Sequence, residues 1–387
     1  MEPFGIPRDS PDMRQNKAWL TAAVVLAASC GDSSTPAAPD DGGPQPDFTC
    51  SIPLSQIFSG GVGRDQIPAL VRPNLGSPGQ TPAGLLDSDR VIGVVVNGAA
   101  RAYPLPVMWY HEIVNDTLGG QPVLVSYCPL TGTGIAFDPR VDGQTREFGV
   151  SGVLYRSNLM MFDRESESLW TQMLLGSQCG VERGKGLDRI NALETTLEHW
   201  KRLHPNTTVV TTNTGFDRDY RGYPYGDYRD LTNEQVPFLA EGVRWNPLLP
   251  PKEVVLGVID GWSQGVECRP FTDCDAIVYS LKGLAEQGPA VTVNDSVGKR
   301  ALLITYQDAF GTANAFDRTV NGEPLTFEVV TANPLTMRDR ETGTIWNEMG
   351  TAFEGQLAGA QLEPITDAYV GFWFAWSLFF KSLRLYQ

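Results

Sequence analysis

Positive charge is scarce in this sequence: 30 Lys and Arg stand against 45 Asp and Glu, giving a net charge of −15. A surface of that sign repels phosphate backbones, which argues against nucleic acid as a partner. Long hydrophobic runs are also scarce. Beyond the N-terminal region no apolar run is long enough to span a membrane as a helix; FWFAWSLFF, around Phe372, is short and aromatic and reads as core. Catalytic signatures are missing too. There is no phosphate-binding loop, no GxGxxG after a strand, no Ser-His-Asp order and no glycosidase-like carboxylate pair. What the chain does have is 40 Gly, 28 Pro, 9 Trp and 42% hydrophobic residues over 387 positions, which suits a globular protein with many turns.

The N-terminus reads as an export signal. Arg14 and Lys17 precede an apolar stretch from Ala18 to Ser29, and small residues lead into Cys30. A basic region, a short apolar core and small residues before the cut describe a secretory signal peptide over residues 1–29. Small residues directly before a cysteine also resemble the lipobox of bacterial lipoproteins, with Cys30 as the lipidated residue and Ala27 where Leu is usual. The stretch after Cys30, GDSSTPAAPDDGGPQPD, has no large apolar side chain to offset chain entropy and reads as a flexible tether over residues 30–49. Together these features predict a cell-envelope protein held to a membrane by its N-terminal lipid, facing the periplasm or the exterior. The protein partner is unspecified.

Export places the six cysteines where disulfides can form. Cys268 and Cys274 form one candidate pair, and Cys50 and Cys179 another at long range; spacing alone does not fix the connectivity. With Cys30 lipidated, Cys128 is left over.

An internal repeat organises the rest. Asn115–Asp138 aligns without gaps on Asn294–Asp317, with ten identities in 24 positions. Asp163–Met173 matches Asp339–Met349, Arg101–Leu105 resembles Ile277–Leu281, and Trp200 falls against Trp376. The expected organisation is a first module at 50–215, a linker at 216–252 and a second, degenerate module at 253–387. Within the first, VIGVVVNG and ARAYPL are short β runs meeting at Asn97-Gly98, a hairpin signal. PLPVMWYHEIVN reads as a short helix with an early Pro. PVLVSYC, GIAFD, TREFGVSG and LMMFD alternate as strands, and ALETTLEHWKRLH reads as one helix ended by Pro205. The expected fold is mainly β or α+β: two tandem divergent copies of a predominantly antiparallel β module with a few short helices.

GGVGRDQIPAL, RVIGVVVNGAARAYPL, WYHEIVNDTLGGQPVLVSYCPLTGT, FGVSGVLYRSNLMMFDRESESLWTQ and FWFAWSLFF together resemble the family called domain of unknown function 3179, from about Cys50 to the C-terminus. The resemblance implies no firm activity. Members commonly carry YCPxCG, and here the second cysteine of that motif is replaced by Thr131. That replacement excludes a CxxC dithiol.

The repeat also separates what recurs from what does not. Asn115, Asp116, Tyr127, Gly132, Phe137, Asp138, Asp163, Arg164, Trp170 and Met173 recur in the second copy and read as turn, core and pairing residues. Cys128 and His111 fall against Gln307 and Ala290. A thiolate and an imidazole suit copper or zinc, with Met160 (or the neighbouring Met108 and Met161) as a thioether ligand. The same pair suits a nucleophile and its base. Gln172, aligned with Glu348, is a further polar candidate. The Asp-rich, Tyr-rich DRDYRGYPYGDYRD, with its interleaved Arg, reads as a solvated linker rather than a calcium loop. Three functions fit these residues: a copper- or zinc-binding protein using His111, Cys128 and Met160; a non-catalytic envelope scaffold or interaction protein; and a thiol-dependent enzyme using Cys128 and His111. An enzyme is the less favoured class.

Overall fold

The computed structural model describes residues 49–260, 275–380 and 382–387. The leader, Cys30, all but the last residue of the tether, Cys268 and Cys274 lie outside the described residues. Strands dominate, and the described residues contain four short α-helices, Leu105–His111, Leu197–Leu203, Leu281–Ala285 and Trp373–Phe379.

The hairpin at Asn97-Gly98 forms with both residues at positive φ (+49° and +78°), the backbone that matches the twist of two paired strands. It joins Arg90–Val96 to Ala99–Pro104, and Ala192–Thr196 pairs on the other side of Arg90–Val96. In the C-terminal half, Val254–Ile259 likewise lies between Asp275–Ser280 and Ala368–Phe372. The next sheet joins Ile113–Leu118, Gln121–Cys128 and Thr133–Phe137, and its counterpart joins Ala290–Val297, Arg300–Gln307 and Thr312–Asp317, all antiparallel. A third meander, Phe148–Tyr155 to Gly176–Cys179, has the same order as Phe327–Ala332 to Ala352–Glu354.

The segment ALETTLEHWKRLH is not one helix. Ala192–Thr196 is a strand, and the helix begins only at Leu197. The two β-branched residues Thr195 and Thr196 favour the extended backbone, and the Thr196 hydroxyl caps the helix by accepting from the His199 N–H at 3.3 Å. This break lets Trp200 fold back over the strand at Gly93. A Cβ added to Gly93 would lie 2.3 Å from the Trp200 ring, and one added to Gly257 would lie 2.2 Å from Trp376. Gly93→Ala therefore forces the indole out of its seat; we expect a loss of about 1–3 kcal/mol, the range for overpacked cores, read as a lowered urea midpoint. An unchanged midpoint would show that the ring has room to move.

The recurring residues have structural duties. The Asn115 carboxamide clamps the Phe148 backbone at 2.8 Å on both sides, and Asn294 does the same to Phe327 at 2.7 and 2.8 Å. Asp163 accepts from Trp170 Nε1 at 2.8 Å, as Asp339 does from Trp346 at 2.9 Å. Asn115 and Asp116 sit in a strand rather than in the turn their sequence suggests.

The halves interlock. The Phe372 N–H donates to the Thr131 carbonyl at 2.8 Å, while Arg90 donates to the Phe310 carbonyl at 2.6 Å. Trp373–Phe380 enters the same hydrophobic core as Cys128, Met160 and Trp170. The stretch 216–252 has no regular secondary structure but is not simply solvated. Tyr220 and Tyr228 are buried and Val236, Leu239 and Trp245 pack on the core, while the Asp and Arg side chains between Asp217 and Asp230 stay outside.

Candidate functional site

The site begins at one helix end. Pro106 occupies the first turn of Leu105–His111, where its missing N–H costs nothing, and the helix stops at Glu112. Glu112 has φ +56°, a backbone that favours glycine. Its carbonyl accepts the Tyr127 N–H at 2.7 Å, tying the helix end to the strand that finishes at Cys128.

His111 is fully buried and fully engaged. Its Nδ1 lies 2.7 Å from the Pro68 carbonyl, which can only accept, so Nδ1 carries the proton. The lone pair on Nε2 then accepts the Tyr220 hydroxyl at 2.7 Å, and Tyr220 in turn meets Thr214 Oγ1 at 2.5 Å. Burial holds the imidazole below its ordinary pKa despite the Pro68 carbonyl, which keeps the ring neutral. No lone pair is left for a metal or for a proton taken from a thiol.

Cys128 has different neighbours. Its Sγ accepts the Leu159 N–H at 3.4 Å and faces the Ser157 carbonyl at 3.7 Å. Burial, followed by the charge of Glu112, pushes the thiol up to about 11, and hydrogen bonds from Thr131 and Leu159 only partly offset this. Met160 and Met161 share its core, whereas Met108 lies in another cluster. Cys128 thus shares a core with Met160 and feels the charge of Glu112, and no hydrogen bond joins it to His111. Among the described residues no group of three or more His, Cys, Asp or Glu converges as a metal site. Of the donors expected for copper, His111 has both ring nitrogens engaged by Pro68 and Tyr220.

Thiolate is then only about one part in ten thousand at pH 7. We expect iodoacetamide to leave Cys128 unmodified in the folded protein and to label it only on unfolding, as read by mass spectrometry. Rapid labelling of the native state at neutral pH would contradict this account.

Thr131 has taken up a purely polar role. Its hydroxyl lies 2.8 Å from Thr133 Oγ1 and accepts from Asn158 at 2.9 Å, and Gln172 closes the network by accepting from Thr133 at 2.7 Å and donating to Ser126 at 3.0 Å. Glu348 receives His199 Nε2 at 3.1 Å and Gln307 at 2.6 Å. Burial opposes its ionisation, yet these hydrogen bonds hold Glu348 below the usual carboxylate range. Gln172 is therefore a buried network member and Glu348 a partly buried one.

Glu112 is the residue that sequence reasoning missed. It is buried, and Tyr225 donates to its Oε1 at 3.1 Å. Burial pushes its carboxyl up to about 7, with only the Tyr225 hydrogen bond opposing. Glu112 lines a cavity of about 260 Å³ whose other walls include Leu130, Val150, Val153, Leu154, Leu159 and Phe238; it is the only charged group among the described lining residues. The strand Phe148–Tyr155 is bulged between Val150 and Leu154, which shapes one wall. Cys128 sits one layer behind, bonded to the backbone of the lining residue Leu159. The sequence carries a signal for Glu112: extending the gapless alignment sets it against Val291, so like Cys128 and His111 it is not matched in the second segment.

The model of a family described as a protein of unknown function, DUF3179, matches residues 64–382. No curated protein and no solved structure matches the chain.

Proposed function

Since the chain belongs to the DUF3179 family of proteins of unknown function, we propose that it is a non-catalytic, lipid-anchored binding protein of the cell envelope, whose first half takes a small, mostly apolar molecule bearing one cationic or hydrogen-bond-donating group. Export and lipidation at Cys30 rest on the leader and lipobox-like sequence, and an oxidising compartment suits the Cys50–Cys179 disulfide. The two halves are read as copies of one ancestral module, supported by the sequence repeat and by the matching strand orders. The second is structural.

One observation carries the binding reading. Glu112 stands at a backbone position that favours glycine and in a wall that favours an apolar side chain. A carboxyl held there at a double cost is spent on something other than folding. A concave, largely apolar cavity with a single charged group, oriented by the Tyr225 hydroxyl, is the ordinary form of a small-ligand site.

Octylamine and octanol are suitable probes at pH 8, where Glu112 is ionised. We expect octylamine to bind the mature protein and to lose about tenfold or more in affinity, 1.4 kcal/mol, in Glu112→Gln, with octanol little changed; Val153→Trp fills the cavity and removes both. Failure of both probes to bind, or binding indifferent to both substitutions, overturns the proposal. The copper and thiol-enzyme readings of Cys128 have less support, because His111 is already satisfied at both nitrogens. A transition metal that co-purifies with the protein and is lost in Cys128→Ala would restore the first.

A further inference from the structure

A second concavity, of about 460 Å³, opens where the two halves meet. Its walls come in pairs that the sequence alignment matches: Tyr127 with Tyr306, and Gly132 with Gly311. The pairing breaks down in charge. Arg90, Arg229, Lys252 and Lys282 line the cleft against two carboxylates, Glu194 and Glu253. That is an excess of two positive charges in a chain whose net charge is −15.

Both carboxylates are occupied. Glu194 pairs with Arg90 at 3.0 Å, and Glu253 accepts the Ser280 hydroxyl at 2.7 Å. Arg229 has no carboxylate partner among the described residues. It is held by stacking, 4.5 Å from the Tyr223 ring centre and 5.0 Å from that of Trp109. A guanidinium fixed by aromatic faces keeps its charge and its hydrogen-bond donors free for a ligand. Lys252 donates to Asn233 at 2.6 and 2.9 Å and lies 4.0 Å from the Tyr228 ring centre, again with no carboxylate in ion-pair contact among the described residues. Tyr127, Tyr223, Tyr306 and Phe372 supply unsaturated walls.

We infer that this cleft is a second binding site, separate from the Glu112 cavity, and that it takes a small anion with a flat aromatic body, Arg229 receiving the charge and the tyrosines the ring. The cleft's own excess of positive charge attracts such ligands against the net acidity of the surrounding surface, and the attraction weakens with salt.

Calorimetric titration of the mature protein with benzoate tests this, with benzyl alcohol as the neutral isostere and acetate as the anion without a ring. Benzoate is expected to bind more tightly than either. Arg229→Gln weakens it by about tenfold or more, and Leu231→Trp, which fills the cleft from an exposed wall residue, abolishes it. Both changes are at the surface, so the fold persists. Glu112→Gln leaves benzoate binding unchanged, which separates this site from the first. The inference is overturned by absence of benzoate binding, by equal binding of acetate or benzyl alcohol, or by benzoate binding that survives both cleft substitutions.

Discussion

Reducing the disulfide between Cys50 and Cys179 is expected to lower the stability of the folded body by about 3–5 kcal/mol. The two cysteines are 129 residues apart, and a cross-link across so long a loop removes much of the freedom of the unfolded chain; the entropy model puts the ceiling near 5 kcal/mol. Residual structure in the unfolded state takes off part of that. The effect reaches the cavity as well. Ser51 bonds the Gln178 carbonyl through its N–H at 2.8 Å, and the segment that follows pairs Ile57–Ser59 against Val153–Tyr155, the bulged cavity wall. Gly60, Val62 and Ile67 then line the cavity itself. Urea unfolding with and without reductant, repeated on Cys50→Ser/Cys179→Ser, measures the loss, and octylamine affinity should fall with it. A midpoint insensitive to both treatments would mean that the N-terminal segment is held by its strand pairing alone.

The second large effect belongs to Glu112. Its carboxyl is near 7 in the folded protein against an ordinary value of 4.5. Below pH 4.5 it is protonated folded or unfolded and contributes nothing. Between 4.5 and 7 the unfolded chain ionises first, so the unfolded state holds fewer protons and stability falls as pH rises. Above 7 the loss is complete, about 3 kcal/mol. Glu112→Gln removes this slope. The variant should match wild type at pH 4 and exceed it by up to about 3 kcal/mol at pH 8, read as the difference between two stability–pH curves. Asp87, Asp138 and Glu348, whose pKa values are lowered, act in the opposite sense and only at lower pH. Burial leads the opposing pull at Asp138 and Glu348, while the Lys201 hydrogen bond dominates at Asp87. Equal curves for the two proteins would show that water reaches the carboxyl freely. A variant more stable but unable to bind octylamine is the signature of a residue kept for function.

Local patterns were legible where chemistry is local. Asn97-Gly98 announced its hairpin, Pro106 its helix start and PVLVSYC its strand, because each signal lies within a few residues of its consequence. The Trp200 helix is shorter than its apolar period, which continues across Thr195 and Thr196, because pairing with Arg90–Val96 decides for strand there. The Tyr-rich stretch near Tyr220 differs from its sequence expectation for a related reason. Its Asp and Arg residues describe the outward face, while Tyr220, Tyr225 and Tyr228 turn inward to His111, Glu112 and the Leu130 carbonyl, about a hundred residues away in sequence. Such long-range partners leave no periodicity. The comparison of copies singled out Cys128 and His111 but stopped one residue short of Glu112, since a glutamate beside a histidine at a helix end looks like an ordinary surface pair.

The reciprocal bonds between Phe372 and Thr131 and between Arg90 and Phe310 bear on how this protein can be divided. Each half supplies a strand end to the other, and Trp373–Phe380 completes a core that begins at Ile52. A fragment cut at the repeat boundary would therefore expose half a core and an unfilled cleft. The second half is an obligate companion of the first, and on the proposed reading the smallest piece of this chain able to hold either ligand contains both.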